Sequence, residues 1–441
     1  METILSLHGI NQFDKEKTTI NITDLYMKKV LVIGSGGREH AIVDALSRSP
    51  KVGKIFCAPG NAGIAEQAQN VAIKETDVVA LKSFALENAI DLTVVGPEVA
   101  LAAGIVDEFR AAGLSIFGHT KQAAQIESSK EFAKKLMQKY DIPTARYKSF
   151  SNYEEAKAYV FSQPLPAVLK YDGLAAGKGV VIAETLEQAD EALRDMLLDD
   201  CFGQGCVVVE EFLEGPEFSF LCFVCGESLY PMPLSQDHKR AYDGDKGPNT
   251  GGMGAYTCLP FITEEDWTYA FDKIMKPTAK AMQSEGLPLT GVLYGGLMKT
   301  ANGIKVIEFN ARFGDPETEV VLPLLQSDIY DVFYSIAENK SIENIKWEDA
   351  ATIGVVLASK GYPGSYDKGF EIAGLENVDA KIYHMGTSIK DDSIVTSGGR
   401  VMIVVSKAPT LLEAHAKVMK EVPKIKCENL FYRSDIGHKA F

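Results

Sequence analysis

No apolar run in the 441 residues reaches the roughly 18 that a membrane helix requires, so the chain reads as a soluble protein. A basic block is also missing. Lys and Arg number 45 against 60 Asp and Glu, a net charge of −15. That balance argues against sequence-independent nucleic-acid binding, which depends on phosphate-neutralising cations. Small anionic ligands stay open, since a few local cations and backbone N–H groups suffice for them. Cysteine is sparse: seven residues without a disulfide framework. The one CxxC, Cys222 and Cys225 in FSFLCFVCGE, lies in an apolar run that reads as a buried strand. Residues three apart on a strand point to opposite faces, so the pair reads as structural thiols of a reducing cytoplasm. Repeats and low-complexity segments are absent. Residues 1–26 lack a basic n-region and a long apolar core, which excludes a signal peptide. They read as an extension without function, or as a start placed upstream of Met27.

What is present is the composition of an ordinary globular protein, 46% hydrophobic and 24% charged, long enough for about three domains. From Met27, short β-branched runs (VLVIG, KIFCAPG, DLTVVGPE, LSIFG) alternate with helical spacers to about residue 127. Such alternation predicts a parallel α/β sheet with crossover helices. The helix SSKEFAKKLMQKY follows. PLPAVLKYDG and GKGVVIAET then read as strands joined by a glycine-rich turn, within a smaller α+β unit over about 148–216. EFSFLCFVCG, GVLYGGLMKT and GIKVIEFNARFG suggest an antiparallel sheet with long loops. The last 90 or so residues read as a compact α+β tail. The expected division is 27–127, 128–350 and 351–441.

Four segments carry possible chemistry. GSGGREH (34–40), at a strand-to-helix turn, would let backbone N–H groups approach an anion, and Arg38 suits a phosphate. A tight turn without ligand explains the glycines equally well. KYDGLAAGKGVVI (170–182) is not a P-loop, because its spacing is short and a strand follows. A glycine hairpin with Lys170 and Lys178 is nonetheless suited to covering a triphosphate, and an unpaired Lys170 inside an apolar strand would be costly. In KVIEFNARFGDPE (305–317), strand alternation puts Glu308, Asn310 and Arg312 on one face and Ile307, Phe309 and Ala311 toward the core. Carboxylate and amide oxygens side by side are hard ligands for Mg²⁺. Finally, SQDHKRAYDGDKGPNTGGMGAY (235–256) is a long polar loop, which in a compact domain is usually functional or disordered.

In this order, GSGGREH, APGNAG, VGPE, DGLAAGKGV, EEFLEG, SQDHKR, GPNTGGMGAY and EFNARFGDPET resemble the phosphoribosylamine–glycine ligase family of the ATP-grasp superfamily, from Met27 to the end. The resemblance implies an N-terminal parallel α/β domain, an ATP-grasp core with a mobile lid, and a small C-terminal α+β domain. It implies that Lys130 and Lys170 hold ATP phosphates and that Gly173, Gly177, Lys178 and Gly179 form the lid. Glu210, Glu211 and Leu213 would line the adenine hinge, and Glu217 would bind the ribose. Glu308 and Asn310 would hold Mg²⁺ or Mn²⁺. Arg312, Lys178 and Asp315 are the expected catalytic groups. Substrate contacts are expected from Gly36, Gly37, Arg38, Glu39, Asn61, Pro97, Glu98, Asp237, Lys239, Arg240, Gly251, Gly252, Met253 and Gly254. Tyr171 and His119 depart from the family's usual residues without removing a ligand.

The implied reaction joins glycine to 5-phosphoribosylamine with ATP, through a glycyl phosphate shielded from water by the lid. The implied partners are these small molecules alone, in a cytoplasmic monomer or weak homodimer. A different ATP-grasp ligase would share Lys130, Lys170, Glu308 and Asn310, and differ in the substrate loops. A non-catalytic nucleotide-binding protein would be expected to have lost a metal ligand or lid lysine. A dinucleotide oxidoreductase fits least, because no acidic residue closes a ribose site about 20 residues after GSGGREH.

Overall fold

The computed structural model describes residues 27–173, 179–199 and 205–441. Near the N-terminus a parallel sheet runs in the order Gln69–Asn70, Val52–Pro59, Lys28–Gly34, Leu92–Val95, Ile116–Phe117. Val30 to Ile33 are fully buried, as expected for a continuous apolar run covered on both faces. Strand order reverses between Lys28–Gly34 and Leu92–Val95, where ligands gather on open α/β sheets. Gly34–Gly37 and Gly96–Glu98 leave the sheet at this point, and helices Gly37–Ser47 and Glu98–Ala102 begin there.

A second, antiparallel sheet of four strands (Tyr147–Phe150, Val207–Glu211, Ala167–Tyr171, Val180–Ala183) is backed by helices Tyr153–Phe161 and Leu186–Leu197. It has its own apolar cluster around Leu169, Leu193 and Val209. Both helices start on side-chain caps, Asn152 and Thr185, and leucine and alanine recur on the inner face of the second. A unit with a separate core can tilt on its neighbours without breaking their packing.

The third sheet holds ten strands. Its main path is Gly303–Asn310, Thr290–Thr300, Glu217–Cys225, Ser235–Asp237, Gly254–Thr257, Ala351–Ser359, Arg400–Ala408, Lys381–His384. The tail is therefore not a detached unit. Ala351–Ser359 pairs directly with Gly254–Thr257, so the last ninety or so residues extend the central sheet. Hydrophobic runs show that strands exist, but not which edge they complete. Cys222 and Cys225 do face opposite sides of Glu217–Cys225, packing in different apolar clusters, and the described cysteines are all free.

Candidate active site

The site lies where the lid sheet meets the free edge of the large sheet. Lys170 is buried in Ala167–Tyr171, with Nζ 2.9 Å from Glu210 Oε1, and it donates to the Ile307 carbonyl at 2.9 Å. Glu210 also meets Lys134, one turn after Lys130 on helix Lys130–Lys139, at 2.8 Å. Lys130 donates to the Gly173 carbonyl at 3.0 Å, tying that helix to the lid turn. Burial pulls the Lys134 ammonium down to about 8 and lowers Lys130 as well. Crowded, partly desolvated lysines of this kind gain from a polyanion, which favours their charged form against the cost of burial. Lys134 was not among the expected residues, although its i,i+4 spacing from Lys130 is visible in the sequence.

Beside the lysines, Val168, Val180, Ile182, Leu213, Met298 and Ile307 line a slot. The expected hinge residues Glu210, Glu211 and Leu213 all border this slot. The Glu210 carboxylate is committed to two lysines. Arg146 at 2.7 Å and Lys305 at 3.0 Å hold Glu211, whose carboxyl falls to about 2 as its hydrogen bonds overcome burial. Neither carboxylate points freely at a base, whereas the Leu213 side chain does line the slot. Glu217, at the far end, is paired with Lys239 at 2.7 Å.

Strand Gly303–Asn310 carries an irregularity: Gly296 pairs with Glu308 but Leu297 with Val306, leaving Ile307 as an extra residue. Because of this bulge Ile307 faces the cavity rather than the core, against the alternation argument. Glu308, Asn310 and Arg312 all reach the cavity wall, as expected. Burial works to raise the Glu308 carboxyl, but Lys239, Lys170, Lys130 and Arg312 outweigh it and hold it below the usual range. No described residue hydrogen-bonds this carboxylate. A half-buried, ionised carboxylate without a direct partner among the described residues, next to the Asn310 amide oxygen, is a donor set that fits a hard divalent cation.

Beyond Asn310 the cavity opens toward the parallel sheet. Arg312 pairs with Glu127 at 2.9 Å and Glu98 at 3.3 Å, and donates to Asn310 Oδ1 at 3.2 Å. Arg38 pairs with Glu39 at 2.6 Å and lies 4.0 Å from Glu98. Both guanidiniums donate to the Phe313 carbonyl at 3.2 Å, which places them side by side. Asp315 pairs with Arg400 at 2.9 Å. Glu317 accepts from the hydroxyls of Tyr294 at 2.6 Å and Ser219 at 2.9 Å.

Several expected contacts are structural instead. Glu39 bends back to accept from the Gly36 N–H at 2.6 Å, so the turn's own helix fills its anion position. A Cβ on Gly37 would lie 2.4 Å from Glu319 Oε1, so this glycine makes room for a neighbouring acid. Asn61 spends both amide protons on the Ser35 and His384 carbonyls, and its oxygen accepts from Gly63 and Ile64. Pro97 precedes helix Glu98–Ala102, and only Glu98 of the two reaches the cavity. Arg240 turns away to the Gly247 carbonyl at 2.8 Å, and Met253 is wholly buried. A Cβ on Gly254 would lie 2.5 Å from the Gly354 carbonyl, so it serves sheet pairing, while one on Gly252 would strike Pro316. Gly251 does border the cavity, with Asp237 and Lys239. Gly179 and Gly173 border the lysine pocket. Gly177 and Lys178 lie outside the described residues.

Arg400 reaches the site from the C-terminal strands, bonding the Gly251 carbonyl at 2.8 Å and that of Asp315 at 3.0 Å. The motif reading missed it, although SGGR of 35–38 recurs at 397–400. Glu127, Tyr294, Glu317 and Tyr362 were also missed; Glu127 precedes the helix SSKEFAKKLMQKY and Glu317 closes KVIEFNARFGDPE.

Asp237 has a testable electrostatic signature. Burial pushes its carboxyl up to about 7, with Glu317, Glu217 and Glu308 adding to the rise and Lys239 opposing it. An acid raised in the folded state costs stability as pH climbs from its unfolded pKa through its folded one. Asp237→Asn should therefore raise the unfolding temperature of the ligand-free protein above neutrality. It should have little effect in acid, below the ordinary carboxylate pKa. Thermal unfolding across pH checks this, and an equal gain at both extremes would contradict it.

Family models match nearly all of the chain from residue 28. They are the phosphoribosylglycinamide synthetase N domain over 28–127, its ATP-grasp (A) domain over 128–318 and its C domain over 352–439. A phosphoribosylamine–glycine ligase of Halalkalibacterium halodurans is 54% identical, with 93% of this chain and 97% of that protein aligned. The crystal structure of phosphoribosylamine–glycine ligase from Thermotoga maritima superposes with a TM-score of 0.82 at 32% identity, covering 93% of this chain and all of that one. A biotin carboxylase domain from Hydrogenobacter thermophilus, solved with MgADP and bicarbonate, shares the fold at a TM-score of 0.72 and 14% identity, over 92% of each chain. The chain belongs to the phosphoribosylglycinamide synthetase family, the ATP-grasp phosphoribosylamine–glycine ligases of purine biosynthesis.

Proposed function

We propose that this cleft ligates glycine to 5-phosphoribosylamine by way of glycyl phosphate, with ATP bound between lid and sheet. One observation carries the reading. The stretch Glu308 to Arg312 borders both the lysine pocket and the arginine-lined cavity, so a phosphoryl group at Glu308 and Asn310 faces both compartments. A carboxylate does not acylate an amine at neutral pH without activation. A glycine carboxylate oxygen attacks the γ-phosphorus, the bond to ADP breaks, and an acyl phosphate forms. The amine nitrogen then attacks its carbonyl carbon, phosphate leaves and the nitrogen loses a proton. No side-chain nucleophile is needed.

Lys130, Lys134 and Lys170 neutralise the phosphates, and Leu213 and the apolar slot hold the ring. Glu308 and Asn310 would hold Mg²⁺ or Mn²⁺, which supplies Lewis-acid charge neutralisation on the phosphates. Arg312 stabilises the transferring group, while Arg38, Glu98, Asp237 and Gly251 border the small substrates. Asp315 acts through Arg400 as a positioning residue, and Lys178 is proposed as a further cation for the phosphates. The partners are these small molecules, handled by a cytoplasmic monomer or weak homodimer. No helix among the described residues is long and apolar enough to cross a membrane.

The test is ADP release by the purified protein with Mg²⁺, omitting glycine or phosphoribosylamine in turn. ADP formation that requires both substrates supports the reading. Turnover with another acid or amine keeps the ATP site and overturns the substrate assignment.

A further inference from the structure

The polar loop between Lys239 and Thr250 folds into a hairpin, Arg240–Tyr242 against Lys246–Asn249. Its two ends stand at the junction of the site: Lys239, Asn249 and Thr250 border both the nucleotide slot and the substrate cavity. Lys246 to Asn249 are exposed, so burial does little to hold the hairpin in place. Its tip is held from elsewhere, by the C-terminal tail.

Arg433 is wholly buried, an unusual state for an arginine outside a ligand site. One nitrogen, Nη1, donates to the Arg240 carbonyl at 2.9 Å and to Asp245 at 3.0 Å. Nε and Nη2 grip Asp435 at 2.7 and 2.9 Å. Asp435 in turn accepts from the Gly244 N–H at 2.8 Å, and the Ser434 N–H donates to Asp243 at 2.9 Å. Lys439 pairs with Asp245 at 2.8 Å. Gly244 and Asp245 both have positive φ, +72° and +53°, a turn conformation that these bonds help to hold. A planar guanidinium can satisfy a carbonyl and two carboxylates at once, whereas an ammonium lacks that fork.

We infer that Arg433 is a positioning residue, through which the C-terminal tail clamps the 240–249 hairpin and so sets Lys239, Asn249 and Thr250 against nucleotide and substrate. The role rests on the ligase reading for what occupies the cavity, but not for the clamp itself. Arg433 lines neither the nucleotide slot nor the substrate cavity, so its loss should weaken binding more than it slows the chemical steps.

The experiment compares Arg433→Lys, which keeps the charge and loses the fork, with Asp243→Ala, an exposed change that removes the Ser434 contact without opening the core. Hydrogen exchange over 240–251, direct ATP binding by calorimetry and steady-state kinetics are measured on the full chain. Both variants should exchange faster in the hairpin than the wild type, with exchange in the central sheet unchanged. KM for ATP and for the amine should rise about tenfold and kcat should change by no more than about threefold, the pattern of a misplaced binding group. Faster hairpin exchange with unaltered ATP affinity and KM overturns the inference. So does a fall in kcat at constant KM that tracks the folded fraction, since that is a structural role only. A wild type that binds ATP but turns over no glycine and phosphoribosylamine sinks the ligase reading. The calorimetric comparison would still decide the clamp.

Discussion

Replacing Arg312 by alanine is expected to slow ADP release in the complete reaction by about two to three orders of magnitude, the usual cost of losing one aligned charge donor. Arg312 sits where charge would develop between the Glu308–Asn310 pair and the small substrates, and four acceptors hold its fork in place. KM for ATP should move much less, because the lysine pocket stays intact. Stability should suffer as well. Burial pushes the Glu127 carboxyl up and Arg312 opposes this, while Glu98 is held low chiefly by Arg312 and Arg38 against burial. Without the guanidinium the depressed acid loses its stabilisation, which is present above its unfolded pKa, and the raised acid becomes costlier to ionise. Both effects vanish when the carboxyls are protonated. The loss in unfolding temperature should therefore be larger at neutral pH than in acid. Near-normal turnover in the variant would refute the catalytic role. Arg312→Lys should recover part of the stability and little of the rate, since an ammonium cannot span Glu98, Glu127 and Asn310 together.

Glu308→Gln should lower metal-dependent turnover by about three orders of magnitude, because a bound cation supplies several kcal/mol of charge stabilisation in phosphoryl transfer. The substitution keeps size and one oxygen, so packing against Gly296 should survive. It removes a negative group that acts on Lys130, Lys170 and Lys239 together. ATP binding without metal should therefore hold or tighten in the variant, while the gain on adding Mg²⁺ disappears. Calorimetry with and without the cation separates the two effects. A variant whose ATP affinity still rises with Mg²⁺ as in the wild type would show that Glu308 is not a ligand. The lowered Glu308 carboxyl also predicts that metal affinity persists into mild acid, and falls only as pH drops through its depressed pKa.

Much of this site is legible in residue order. Lys170 is an example: a cation in the middle of an apolar strand has to have a partner, and the structure supplies Glu210. Glu308 and Asn310, at alternate positions of Gly303–Asn310, reach one cavity, as a pleated strand dictates, and Arg312 joins them from the bend beyond the strand's end. The bulge at Ile307 was not legible, because it depends on how Thr290–Thr300 pairs with its neighbour. Glu39 and Asn61 were misread for a related reason, and the room that Gly37 leaves for Glu319 was equally hidden. A polar residue or glycine near a ligand segment looks the same in sequence whether it contacts the ligand or braces the wall. Only the positions of Gly36, His384 and Glu319, the last two remote in sequence from the residues they brace, distinguish the two.

The sequence by itself determined most of the elements, the family and the residue types proposed to meet the phosphates and the metal. Periodicity, glycine turns and motif order are local properties of the chain. Only the tertiary structure decided which carboxylates are already committed to lysines. It alone brought Arg400 to Gly251 and Arg433 to the hairpin, and joined the tail to the central sheet. Those outcomes depend on which distant groups compete for the same charge and the same sheet edge, and residue order does not encode that competition locally.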